Sequence, residues 1–359
     1  MVGNSLRNGG LERQLSLLAR SLPADHECRV WSLHAGPHAR AILDAGVPLR
    51  VRPRRFRFDV TPAIDLWRVI DTWRPDIVHA WHWMPSAAAV PACQALGIPL
   101  IDGSIRMGSV PREFGRPRRG IMRFATLVVA NSAAGLTAWG LDSSKGRVIY
   151  NAFDDQRLQL VAGGDRRASD RAEPFTVVMA ARMDPPKDFR TVIEAARILT
   201  RRDPQGWHFV LVGDGVDRPG LLAAGADLVR AGQMSYPRGG TEAVGHMFSS
   251  HVGVLMSDPA VLAEGCPNSV MEYMACELPV VCADSGGCRE LMHDGVTGFV
   301  VRPRDAPALA ARLAYLRGHP EERRRMGVAG KGRVEREFTL DRMVHDYVAL
   351  YAEAMRRKR

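Results

Sequence analysis

The chain has 359 residues, enough for two domains of ordinary size. Hydrophobic residues make up 46% and charged residues 25%, which excludes a disordered tail, a collagen-like repeat and a coiled coil. There are 49 Lys+Arg against 39 Asp+Glu, a formal net charge of +10 and a pI near 9.8, and no apolar run approaches the roughly 18 residues a membrane-crossing helix needs.

From the amino terminus, residues 1–3 read as the last turn of a first strand, because Asn8-Gly9-Gly10 and a helix follow at once. The expectation is a first strand that is unusually short, or a native start upstream of Met1. Residues 1–10 lack the apolar segment of a signal peptide. Short apolar runs then alternate with amphipathic stretches. Strands are predicted at 28–33, 76–81, 99–101 and 127–131, with helices at 64–73 and 86–96. The longest apolar run, 125–130, reads as a buried strand. The rhythm repeats with strands at 176–181, 208–213, 252–257 and 280–283, and helices at 189–200 and 269–276. This alternation predicts an α/β protein of two Rossmann-like, doubly wound domains with parallel sheets.

The polar, glycine-bearing stretch 163–171 is the linker candidate. It divides a domain at 1–162 from one at 172–339. A helix over about 340–359, with Met343, Val344, Tyr347, Val348, Leu350 and Tyr351 on one face, is expected to pack back on the first domain. Ligands bind such sheets at the carboxyl ends of the strands, so the expected site is a cleft between the two domains.

The charge is uneven. Residues 1–160 carry 21 basic and 13 acidic groups, and residues 161–359 carry 28 and 26. Two basic clusters in the first half contain aromatics: Arg52, Arg54, Arg55, Phe56, Arg57 and Phe58, then Arg112, Phe114, Arg116, Arg118, Arg119 and Arg123. Such clusters fit an anionic membrane surface or a plain solvated face. No nucleic-acid recognition motif accompanies them, so no nucleic-acid partner is predicted. Six cysteines are too few for a disulfide scaffold, and Cys266, Cys276, Cys282 and Cys288 lack the tight pairs of a zinc site. The expectation is buried thiols in a reducing cytoplasm and no metal.

Four places carry candidate chemistry. Gly9 and Gly10 open a helix, where a phosphate can approach the backbone or where the chain simply turns. Arg182 and Lys187 follow a strand and offer two cations to a diphosphate, or two solvated charges. In 257–275 (SDPAVLAEGCPNSVMEYMA), Glu264 precedes the loop Gly265-Cys266-Pro267-Asn268. There Asn268 or Ser269 is expected to cap a helix that carries Glu272 about one turn in. One carboxylate on the loop and one on the helix suit a sugar and a ribose with a diphosphate between, and a capping loop with surface acids is the plainer reading. Finally, His79 and His82 end a predicted strand, where either can contact an acceptor or merely pack.

The second half resembles the family 4 glycosyltransferases of the GT-B fold. The matching pieces are Ala181-Arg182 with Lys187, Leu211-Val212-Gly213-Asp214-Gly215, Glu264 with Glu272, Pro279-Val280-Val281, Gly286-Gly287 with Glu290, and Asp294-Gly295-Val296-Thr297-Gly298-Phe299. The first half is similar through Asn8-Gly9-Gly10-Leu11-Glu12-Arg13, Pro75-Asp76-Ile77-Val78-His79, Ala130-Asn131-Ser132 and Val148-Ile149-Tyr150-Asn151. The resemblance implies a retaining transfer of a sugar from a nucleotide donor, with no cofactor and no metal. It implies Arg182 and Lys187 at the diphosphate, Glu264 at the donor sugar, Glu272 at the ribose, and Gly9 and Gly10 as the glycine loop. Gly213 belongs to the matched donor motif, and the backbone from Gly232 to Ser235 would meet the base.

Two departures stand out. Many relatives carry a His after the strand at 99–101, where this chain has Asp102-Gly103-Ser104-Ile105-Arg106, so Arg106 stands near that place. The segment 216–229 is short, which leaves UDP and GDP both open as the donor nucleotide. The expected acceptor is a glycan or lipid-linked intermediate on the cytoplasmic face of the membrane, in cell-surface polysaccharide synthesis. The alternatives are a GT-B epimerase or a non-catalytic nucleotide-sugar binding module.

Overall fold

The computed structural model describes residues 1–7, 9–111, 115–156, 173–240 and 242–358. The linker expected at 163–171 lies outside these, as do Asn8, Arg112 and Phe114. The chain forms two compact units, Met1–Ala152 with Leu340–Arg359, and Phe153–Thr339.

In the first unit seven strands are β1 (Val2–Gly3), β2 (Val30–Ser32), β3 (Leu49–Val51), β4 (Val78–Ala80), β5 (Leu100–Ile105), β6 (Leu127–Ala130) and β7 (Gly146–Val148). Their order is β3-β2-β1-β4-β5-β6-β7, every pair parallel. Successive side chains of a strand point to opposite faces, and the core divides accordingly. Val128 and Ala130 join Leu66, Ile70 and Ala92 of the helices Thr61–Trp73 and Trp83–Leu96 on one face. Leu127 and Val129 join Leu15 and Leu18 of the helix Gly10–Ser21 on the other. Met343, Tyr347 and Leu350 of the helix Leu340–Lys358 complete that second face.

The second unit holds β8 (Phe175–Ala180), β9 (Trp207–Val212), β10 (Met234–Ser235), β11 (Val252–Leu255), β12 (Val280–Ala283) and β13 (Gly298–Val301). The order is β10-β9-β8-β11-β12-β13, again parallel throughout. Neighbours of β8 run outward on both sides, so the order reverses between β8 and β11, where open α/β sheets bind ligands. The helix Asn268–Ala275 packs close to the helix Pro320–Glu337 because glycine faces it: a Cβ at Gly330 would lie 3.0 Å from Met274 Cγ.

The strand predicted at 99–101 is longer than expected, since β5 continues to Ile105 through Asp102 and Ser104. Hydrogen bonds inside the sheet tolerate these polar residues: Asp102 accepts from the Ser86 hydroxyl at 2.7 Å and from the Ser104 N–H at 2.9 Å. The short strands β3, β7 and β10 carry too few apolar residues to stand out in the sequence. No helix among the described residues is long and apolar enough to cross a membrane.

Candidate active site

Loops leaving β8, β11 and β12 meet at the order reversal of the second unit. After β8, Lys187 forms an antiparallel bridge with Ser257, which follows β11. The Asp188 N–H donates to the Met256 carbonyl at 3.0 Å, and the Asp258 N–H to that of Pro186 at 2.9 Å. These backbone bonds hold the Lys187 loop against the loop that leads to Glu264.

Glu264 is the centre of the arrangement. Its carboxylate pairs with the Lys187 ammonium and accepts from the Ser257 hydroxyl. The side chains of Lys187 and Glu264 are only 19% and 12% exposed, so the pair is little screened by water. The backbone of Glu264 is fixed as well. Its N–H donates to Ser285 Oγ at 3.2 Å, and its carbonyl accepts from Gly287 N–H at 2.9 Å. Gly286 sits at φ +51, and a Cβ there would lie 2.1 Å from the Glu264 carbonyl oxygen. Only glycine tolerates both that conformation and that approach.

Gly265, Cys266 and Pro267 are buried in the loop that follows. The helix begins at Asn268 and not after it. Pro267 is the N-cap, in extended conformation at φ −70, and no side chain caps the helix. The expectation that Asn268 or Ser269 caps is therefore corrected: proline already presets the turn, so both polar residues fall inside the first helical turn. That end of the helix carries the positive end of its dipole. Glu272 lies one turn further, 5% exposed. Its neighbour Tyr273 is fully buried, and Tyr273 Oη accepts from the Ala180 N–H at 2.6 Å. The helix is thus anchored to the end of β8. Burial pushes the Tyr273 phenol above its usual range.

Arg182 is largely exposed and lies 3.2 Å from Asp184, while Lys187 turns to Glu264. Asp184 in turn accepts from the Val216 N–H at 2.8 Å. Gly213 ends β9 at the same edge of the sheet, where a Cβ would lie 2.1 Å from the Ala181 carbonyl oxygen. Gly232 does not belong here. It is a turn glycine at φ +72 that feeds the start of β10, at the opposite edge from Gly213. The strand register brings Pro237, whose carbonyl accepts from Gly213 N–H at 3.0 Å, to the edge instead.

The first unit holds the remaining candidates. Gly9 is the N-cap of the helix that begins at Gly10, and a Cβ at Gly9 would lie 2.1 Å from a carboxylate oxygen of Glu12. Arg106 follows β5; its Nε donates to the Gly103 carbonyl at 2.8 Å and its guanidinium lies 4.5 Å from the centre of the Trp81 ring. His79 is 3% exposed, with Nδ1 2.9 Å from Tyr351 Oη. Burial, and then the charge of Arg106, lower its pKa well below the usual range. His82 is the N-cap of the helix Trp83–Leu96, and burial, then Arg118, lower its pKa to about 4.

Ser257, Ser285, Tyr273 and Gly286 position Glu264 and the helix, yet the two serines and the tyrosine carry no sequence signal of their own. All six cysteines are thiols, not disulfides. No group of three or more His, Cys, Asp or Glu among the described residues is placed to hold a metal.

Comparison with known proteins places this geometry. Residues 8–157 match the family model described as Glycosyltransferase Family 4, and residues 174–318 that described as Glycosyl transferases group 1. The chain is 25% identical over 295 residues to a D-inositol 3-phosphate glycosyltransferase of Frankia alni, covering 72% of this chain and 69% of that one. It is 27% identical over 219 residues to the putative glycosyltransferase EpsD of Bacillus subtilis, covering 60% of this chain and 53% of that one. Among solved structures, Anabaena HepE in complex with UDP and glucose superposes with a TM-score of 0.80 at 20% identity, covering 98% and 99% of the two chains. The lipopolysaccharide outer core galactosyltransferase WaaB, in its apo form, does so with 0.74 at 16% identity, covering 98% of each. Two family models that follow one another along the chain, and this shared two-sheet fold, show that the chain belongs to the family 4 glycosyltransferases of the GT-B fold.

Proposed function

We propose that the second unit binds a nucleotide-sugar donor and that the chain transfers its sugar, with retention, to a glycan or lipid-linked acceptor. The observation that carries this is the Lys187–Glu264–Ser257 cluster beside the start of the Asn268 helix, at the order reversal of the sheet. Lys187 and the helix end hold the diphosphate, Glu264 the sugar and Glu272 the ribose. The acceptor hydroxyl attacks the anomeric carbon on the face from which the diphosphate departs, and the leaving phosphate oxygen takes the hydroxyl proton. Lys187 and Arg182 balance the charge that grows on the diphosphate. HepE was solved with UDP, so UDP is the first nucleotide to test. The basic first half and the exposed Phe56 and Phe58 support an acceptor presented at an anionic membrane face, in surface polysaccharide synthesis.

The test is a thermal-shift panel of UDP, GDP, ADP and their sugar conjugates, with Glu272→Ala as control. A nucleotide at 100 times its Kd stabilises by about 2.7 kcal/mol. A shift for one nucleotide, lost in the variant, supports the reading; no shift with any of them overturns it. Donor binding that never yields acceptor-dependent nucleotide release assigns the chain to a binding module.

A further inference from the structure

Among the described residues, Arg74, Glu277 and Arg304 adopt a left-handed φ without being glycine, at 51°, 57° and 60°. Arg74 is the C-cap of the helix Thr61–Trp73, and Glu277 directly follows Cys276, the C-cap of the helix Asn268–Ala275. Helices commonly end in that conformation. Arg304 ends no helix. It lies between β13, which stops at Val301, and Asp305, the N-cap of the helix Ala306–Gly318. It follows Pro303 in a turn, at a place where a positive φ ordinarily calls for glycine or asparagine. A long side chain held in this region is strained, and such strain persists only where the surroundings fix the residue.

What fixes Arg304 is a different segment of the chain. Its guanidinium pairs with the carboxylate of Asp258, which follows β11. Strand β12 lies between β11 and β13, so the pair spans the carboxyl end of β12. Asp258 is buried, and its other carboxylate oxygen accepts from the Ala260 N–H at 3.0 Å. Through its main chain the same residue holds the Lys187 loop. The Asp258 N–H donates to the Pro186 carbonyl at 2.9 Å, next to the bridge between Ser257 and Lys187. Arg304 itself is largely exposed, so the ion pair contributes little to stability. Its effect is on direction. It ties the turn that grips Pro186 to the far side of the sheet edge, three strands away from β8.

We propose that Arg304 is a positioning residue. Acting through Asp258, it fixes the loop that carries Lys187, and so sets how tightly the site holds the diphosphate of the donor. The proposal rests on the reading of Lys187 as a diphosphate ligand.

The test measures binding by calorimetry in the intact chain, with whichever of UDP, GDP and ADP stabilises the wild type as the probe. Arg304→Gln and Asp258→Asn should each weaken binding about tenfold, and the double variant no more than either alone, because both break one link. In the Lys187→Ala background, Arg304→Gln should change binding less than twofold, since the group it positions is gone. Arg304→Gly relieves the backbone and also breaks the link, so it should melt about 2–4 °C above Arg304→Gln yet bind as weakly. A purely structural role would make affinity follow Tm, and would lower it equally with and without Lys187. Unchanged affinity in folded Arg304→Gln, or an equal loss in the Lys187→Ala background, overturns the proposal and leaves the donor reading standing. If no nucleotide stabilises the wild type, the donor reading falls and the proposal with it.

Discussion

Replacing Lys187 with Ala separates its structural work from its chemical work. In the folded protein Lys187 is the cationic partner of a Glu264 carboxylate that is only 12% exposed. Its loss leaves that carboxylate with Ser257 and whatever water reaches it. Removing one partner of a largely buried polar pair costs about 1–3 kcal/mol. In a unit of this size, that lowers Tm by about 2–4 °C per kcal/mol. Turnover falls further, by about 100-fold or more, because one electrostatic stabiliser of the leaving group is gone. The second variant, Lys187→Ala with Glu264→Gln, distinguishes the two effects. The neutral amide removes the stranded charge, so stability recovers while turnover does not. The assay is calorimetric Tm for the wild type and both variants, with nucleotide release at saturating donor. Near-normal turnover in a folded Lys187→Ala protein refutes the charge-stabilising role. Failure of the double variant to recover Tm refutes the stranded-charge account.

Three more outcomes follow from the same geometry. Because burial lowers the pKa of His82 to about 4, the unfolded chain binds its proton first, near pH 6.5. Stability from this group is full above pH 6.5 and is lost as pH falls towards 4, a total of at most about 3 kcal/mol. Buried His79 acts in the same direction. Calorimetry should show Tm falling between pH 6.5 and 4.5, with a shallower fall in His82→Asn; an unchanged slope refutes the assignment. Gly286→Ala puts a methyl against the Glu264 carbonyl at a left-handed φ; it should stay folded, lose some Tm and lose most of its turnover, and normal turnover would show that the Glu264 backbone position is unimportant. Phe56 and Phe58 are 64% and 78% exposed beside Arg54, Arg55 and Arg57. Vesicles with anionic lipid should bind the protein at low salt and release it at high salt, and Phe56→Ser with Phe58→Ser should weaken binding more than tenfold. Binding to neutral vesicles with equal strength would exclude the electrostatic part.

The sequence alone carried the α/β alternation, because β-branched runs such as Leu127–Ala130 and amphipathic stretches such as Phe189–Thr200 each keep a period that only one kind of element satisfies. It also carried the spacing from Glu264 to Glu272, since a loop and one helical turn are local objects. Features that depend on strand register or local backbone conformation are not legible in the same way. Gly232 looked like part of the base site, and only the pairing of Met234 with Phe209 reveals that it lies at the far edge of the sheet. Asn268 looked like a cap, and the Pro267 conformation places it inside the helix.

Tertiary structure alone decided which groups meet. Lys187 and Ser257 are far apart along the chain, and parallel strands β8 and β11 bring both to Glu264. His79 and Tyr351 stand 272 positions apart and touch because the last helix folds onto the first sheet. A chain records the period of its elements in nearby residues, but the chemistry of a site comes from residues joined by sheet order and helix docking, and those are settled only when the whole core packs.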